Sequence, residues 1–123
     1  PAITTESGYL GKTDELSIKR NLDGIFSVMR LFEMIDGQPS TVAEPIWIDK
    51  YEVVYSDVDG LFFPLTEMGY YVEEGEQIGY VMDYLGETKK VFRAPFTGIL
   101  LYLIHTPPTS KGEPLFEVGQ IKR

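Results

Sequence analysis

The stretch Val72-Glu73-Glu74-Gly75-Glu76-Gln77-Ile78 recurs, in chemistry and in spacing, as Thr109-Ser110-Lys111-Gly112-Glu113-Pro114-Leu115. Reading outward, Gly60-Leu61-Phe62 has its echo in Gly98-Ile99-Leu100, and Val81 in Val118. The offset is 38 residues between Gly60 and Gly98 and 37 between Gly75 and Gly112. From Ile46 onward the chain is β-branched and aromatic, with glycines every few residues, the pattern of many short strands. Each half reads as strand, Gly, strand, a turn with Gly-Glu, strand. The turn Gly permits positive φ, and the apolar residue after it returns to the core. Neither half is large enough to bury its own apolar face, so the two are expected to close on each other as a flattened barrel.

Upstream of this module the pattern changes. Residues 38–45 are rich in Pro, Ser and Thr without periodic apolar residues, and read as a linker. Residues 1–37 read as a strand and a helix. Ala2-Ile3-Thr4-Thr5 is a short β-like run, and Glu6 to Gly11 form a loop with two glycines. Thr13 or Asp14 can cap a helix, which is expected from about Asp14 to Ile35, with Gly37 as its stop and Pro39 beyond it. Ile18, Leu22, Ile25, Phe26, Met29 and Phe32 recur at three- and four-residue steps, so one face is meant to be buried. One strand and one helix cannot cover a sheet. We therefore expect the C-terminal strand and helix of a truncated α/β domain. The helix then packs on the β module or offers Phe26, Met29 and Phe32 to a partner. Pro1 stands where an initiator Met would, so the natural N-terminus is expected upstream.

Composition narrows the function classes. Apolar residues make up 43% of the 123 positions, with 8 Tyr, 7 Phe and 1 Trp as bulky core material, a globular composition. A net charge of −8 repels phosphate backbones and anionic lipid, which argues against nucleic acid and membrane as partners. With no Cys there are no disulfides, thiolate zinc sites or cysteine nucleophiles, in keeping with an expected cytoplasmic location. No apolar run reaches the roughly 20 residues that span a bilayer.

Two resemblances follow from these motifs. The duplicated half, with its hydrophobic-x-x-Gly-Glu-x-x-hydrophobic turns, resembles the barrel-sandwich hybrid of biotinyl and lipoyl carrier domains. Those carriers present a modified Lys between the halves, inside Met-Lys-Met or Asp-Lys. Here the stretch is Met82-Asp83-Tyr84-Leu85-Gly86-Glu87-Thr88-Lys89-Lys90, and neither Lys89 nor Lys90 sits in such a motif. Over the whole chain, Thr4-Thr5-Glu6-Ser7-Gly8, the helix through Val28-Met29-Arg30-Leu31, Gly60-Leu61-Phe62, Asp83-Tyr84-Leu85-Gly86 and Ala94-Pro95-Phe96-Thr97-Gly98 occur in one order. That order resembles the succinylglutamate desuccinylase/aspartoacylase family of zinc-dependent deacylases.

The resemblance implies a mainly β chain with one long helix: an α/β zinc-hydrolase remnant over 1–37, a linker over 38–45, and a barrel-sandwich hybrid over 46–123. It implies that the intact protein hydrolyses N-acyl amino acids or related small amides, with zinc polarising the scissile carbonyl. It also implies that Glu6 is the general base, taking the water proton and passing it to the leaving amine. In the family, zinc is held by His, Glu and His, the first two in His-x-x-Glu. This chain has His105 alone and no His-x-x-Glu, so the ligands are expected upstream of Pro1 and no metal within these residues. The 123 residues alone are accordingly expected to be inactive. Tyr9 and Leu10 follow Gly8 where family members often carry further glycine. Arg93, before Ala94-Pro95, is a candidate bidentate donor to an acidic substrate group. His105 reads as a strand-end or surface residue. Asp57, Asp59, Glu73, Glu74 and Glu76 read as solvated turns rather than a calcium site. The other classes weighed are a non-catalytic binding or oligomerisation module of biotinyl/lipoyl-like fold, a carrier domain, and a homo-oligomer as an assembly the pattern allows.

Overall fold

The computed structural model describes residues 2–8 and 13–122. The chain divides into two compact units, Pro1–Pro45 and Ile46–Arg123.

The first unit is built around α1 (Glu15–Leu31). Asp14, in extended conformation, is its N-cap: the side chain accepts a hydrogen bond from the Ser17 N–H at 2.8 Å, satisfying one of the free donors of the first turn. The helix is shorter than its apolar period suggests. It stops at Leu31 because Glu33 turns into the left-handed region at φ 56°. There the Glu33 N–H donates to the Arg30 carbonyl and the Met34 N–H to the Met29 carbonyl, the paired bonds that seal a helix C-terminus. Gly37, the expected stop, has φ 114° but lies four residues past this point. Beyond the helix, the Ser27 hydroxyl donates to the Ser40 carbonyl and accepts from its N–H, tying the linker back to α1. No helix residue is buried; Phe26 and Phe32 are exposed and Met29 is half-buried.

The strand expected at Ala2–Thr5 does not form. Residues 2–8 are exposed and carry no strand, because a strand exists through its ladder and no described strand pairs with this segment. The expected loop runs on through residues 9–12, outside the described residues.

The second unit is all β. Its strands are β1 (Ile48–Tyr55), β2 (Gly60–Pro64), β3 (Tyr71–Val72), β4 (Gln77–Met82), β5 (Thr88–Arg93), β6 (Gly98–Leu103), β7 (Pro108–Thr109) and β8 (Pro114–Ile121). They form two four-stranded antiparallel sheets, in the orders β1-β8-β6-β3 and β5-β4-β2-β7. Exchanging β1 with β5, β2 with β6, β3 with β7 and β4 with β8 turns either order into the other. The repeat read in the sequence is therefore a repeat in topology. Each sheet draws strands from both halves, β3 pairing with β6 and β7 with β2, so neither half completes a sheet alone.

The core follows the same rule. Phe62, Val72, Ile78 and Val81 are buried, and so are their counterparts Leu100, Thr109, Leu115 and Val118. Phe92, Ala94, Phe96, Leu103 and Phe116 complete the cluster. The repeated turns are closed in the same way. The Glu73 N–H donates to the Glu76 carboxylate at 2.8 Å, and the Ser110 N–H to the Glu113 carboxylate at 2.7 Å. Gly75 and Gly112 hold φ 80° and 92°, as a turn in the left-handed region requires. Their N–H groups donate to the carbonyls of Ala94 and Ser56, themselves counterparts in the repeat.

Candidate functional site

The candidate residues of the sequence fall in different units, Glu6 in the first and Arg93 and His105 in the second. Glu6 lies on the exposed segment of residues 2–8, two residues before Gly8, whose φ is 90°. The segment carries no helix or strand, and Glu6 is exposed to solvent. The Tyr9 and Leu10 departure from the family pattern lies outside the described residues.

Arg93 is the last residue of β5, opposite Gln77 in the ladder with β4. Its Nη1 donates to the Gly75 carbonyl at 2.9 Å, so the guanidinium braces the first of the two repeated turns. An Arg has five N–H donors, so a fork towards an acidic group remains on this side chain. His105 sits in the exposed connection between β6 and β7. Among the described residues no group of three or more His, Cys, Asp or Glu side chains could hold a metal ion. The donor set present therefore does not fit a zinc site: a lone imidazole cannot supply the two-His pattern.

Two of the acidic residues noted in the sequence, Asp59 and Glu76, accept backbone N–H groups with their carboxylates. Glu76 closes its own turn, and the Glu74 N–H donates to the Thr97 hydroxyl at 3.0 Å. Asp57 pairs with Lys90 at 2.6 Å, and this contact holds its carboxyl below the usual aspartate value of 3.8. Asp59 accepts from the Lys111 N–H with its side chain and from the Lys89 ammonium with its carbonyl.

The hairpin between the halves closes on Asp83. Its carboxylate accepts from the N–H groups of Glu87 and Leu85, both at 2.9 Å, and these bonds hold its pKa below 3.8. Gly86 turns the chain at φ 92°, and Tyr84 and Leu85 project from the tip, 79% and 91% exposed. No lysine stands at that tip. Lys89 and Lys90 lie on β5 and reach back to residues 57–59.

One depression escaped the sequence reading. A cavity of about 460 Å³ in the β unit is lined by Asp49, Tyr71, Thr97, Gln120 and Ile121. These residues come from β1, β3, the turn before β6, and β8. Scattered single residues of that kind carry no motif, and only the pairing of the strands brings them together.

No protein-family model matches this sequence, and no curated protein does. Solved structures do match it in fold. A succinylglutamate desuccinylase from a Silicibacter species superposes with a TM-score of 0.79 at 21% identity, over 91% of this chain and 35% of that one. The product-bound ectoine utilization protein EutE from Ruegeria pomeroyi gives a TM-score of 0.79 at 19% identity, over 89% of this chain and 35% of that one. A succinylglutamate desuccinylase/aspartoacylase from Rhodobacter sphaeroides gives 0.76 at 19% identity, over 91% and 38%. The chain thus spans about a third of the length of the structures it matches. In fold it corresponds to the C-terminal part of succinylglutamate desuccinylase/aspartoacylase proteins.

Proposed function

We propose that the chain acts as the C-terminal part of a longer zinc-dependent deacylase that hydrolyses N-acyl amino acids or related small amides. The observation that carries this reading is the extent of the likeness. It takes in about nine-tenths of the chain, more than the β unit of Ile46–Arg123 alone supplies. The order of short motifs from Thr4-Thr5-Glu6 to Ala94-Pro95 supports it independently. Zinc would be held by ligands outside these residues, since among the described residues no group of donors forms a site.

In this reading Glu6 is the general base. It takes a proton from the attacking water as the oxygen bonds to the amide carbon, and returns it to the nitrogen as the C–N bond breaks. The products are a carboxylic acid and a free amine. The β unit, taken as a barrel-sandwich hybrid, is non-catalytic and limits which acyl substrates the longer protein takes. Arg93 is the candidate within the β unit for an acidic substrate group.

The test compares the 123-residue chain with the same chain joined to its upstream segment, by bound zinc and by turnover on a panel of N-acyl amino acids. The short chain is expected to bind no stoichiometric zinc and to turn nothing over, and the longer protein to do both. Turnover by the short chain, or an upstream segment without His-x-x-Glu, contradicts the reading.

A second reading has its own support. The two interchangeable sheet orders suit a biotinyl/lipoyl-like module that binds or assembles without catalysis. As a carrier it lacks a lysine at the 83–87 hairpin. Intact mass after co-expression with biotin and lipoate ligases is expected to stay unchanged; a shift would revive the carrier.

A further inference from the structure

β1 and β5 are counterparts in the two halves, and each lies at an edge of its sheet. Among the described residues no strand pairs with the free side of either. Such an edge is a row of open backbone donors and acceptors, a template for another strand unless something discourages pairing. The two edges differ in this respect. β5 carries Lys89, Lys90 and Arg93 and no acidic residue, so two copies of it repel. β1 reads Ile48-Asp49-Lys50-Tyr51-Glu52-Val53-Val54-Tyr55, β-branched and aromatic with charges of both signs.

These charges are self-complementary. Antiparallel pairing of β1 with a second copy of itself, centred on Tyr51, sets Lys50 opposite the other copy's Glu52, and does so twice. Lys50 and Glu52 are two residues apart and so share one face of the strand, and both are exposed. Tyr51, 66% exposed, falls on the twofold axis against its own copy. Irregularities between Ile48 and Lys50 and between Val54 and Tyr55 confine the regular stretch to residues 50–54, which holds both Lys50 and Glu52.

We propose that two copies of this chain associate through β1, antiparallel about Tyr51, joining the β1-β8-β6-β3 sheets into one continuous eight-stranded sheet. The contact is isologous and closes as a dimer. A heterologous pairing of β1 with β5 is disfavoured because β5 carries no acidic residue and so leaves Lys50 without a partner. The net charge of −8 on each copy opposes association at long range. At about 0.15 M salt, where screening acts beyond about 8 Å, the contact pairs decide. The inference is independent of the proposed deacylase role.

Sedimentation equilibrium of the 123-residue chain at that ionic strength tests it. The wild-type chain is expected to be a reversible dimer. Glu52→Lys and Lys50→Glu are each expected to weaken it at least about tenfold by turning attraction into repulsion. An equimolar mixture of the two variants is expected to dimerise again, because every Lys then faces a Glu. A monomeric wild-type chain, variants that dimerise like wild type, or a mixture that stays monomeric would each overturn the proposal. Lys50 also lies over the Phe96 ring at 4.5 Å. If Lys50→Glu unfolds by circular dichroism, Glu52→Lys against Glu52→Gln decides: charge reversal must weaken the dimer more than neutralisation, and equal effects overturn it.

Discussion

Gly98 and Gly60 look in the sequence like punctuation before two matching strands, but their reason is contact. A Cβ on Gly98 would lie 2.2 Å from the Gly119 carbonyl oxygen, and one on Gly60 2.2 Å from that of Met82. Both obstacles are backbone of a paired strand and cannot step aside. Gly98→Ala is expected to cost about 1–3 kcal/mol, measured by urea unfolding, with Gly60→Ala similar. Thr109 makes the opposite case. Its hydroxyl is buried with no hydrogen-bond partner, while its counterpart Val72 is fully buried. Thr109→Val is expected to raise stability by about 1 kcal/mol, since it removes an unmet polar group at nearly constant volume. Asp83 carries a pH dependence. Its pKa is depressed below 3.8 by the Glu87 and Leu85 N–H groups, so its contribution is complete above that pH and is lost as pH falls through the folded-state value. Asp83→Ala is expected to flatten the dependence of the unfolding midpoint below about pH 4; an unchanged acid slope would remove Asp83 from the account.

At the scale of elements, the strands were more legible than the helix end. A strand announces itself through β-branched residues between turn glycines, and the repeat supplied a second copy of each signal. The pairing of β3 with β6 and of β7 with β2 was not legible, because it links residues whose local sequences share nothing. The helix period runs on to Ile35 because Phe32 and Ile35 keep the apolar stripe going, yet the chain leaves the helix at Glu33. The missing cue was a glycine, the usual occupant of that left-handed position. Glu33→Gly is expected to raise the thermal midpoint of α1, followed by far-UV circular dichroism, through relief of up to about 1 kcal/mol of backbone strain. No change would mean that the strain is offset elsewhere. The strand expected at Ala2–Thr5 failed for a simpler reason: β-propensity without a partner makes no ladder.

At the scale of the molecule, the 37- to 38-residue repeat led to the sheets, and the sheets interchange as a twofold repeat should. The candidate site was legible only in part, and only through resemblance. Glu6 is one exposed carboxylate among 19 acidic residues, and nothing in periodicity or charge separates it from the rest. The cavity beside Asp49 and Tyr71 had no sequence signal, because four separate segments line it. The Glu6 proposal rests on the motif Thr4-Thr5-Glu6-Ser7-Gly8, and it can be measured directly. Glu6→Ala in the longer protein, with zinc content and turnover of N-acyl amino acids read on one sample, tests the central claim. The account predicts turnover lost by at least about a hundredfold with zinc still bound. Turnover retained, or zinc lost together with activity, would contradict it.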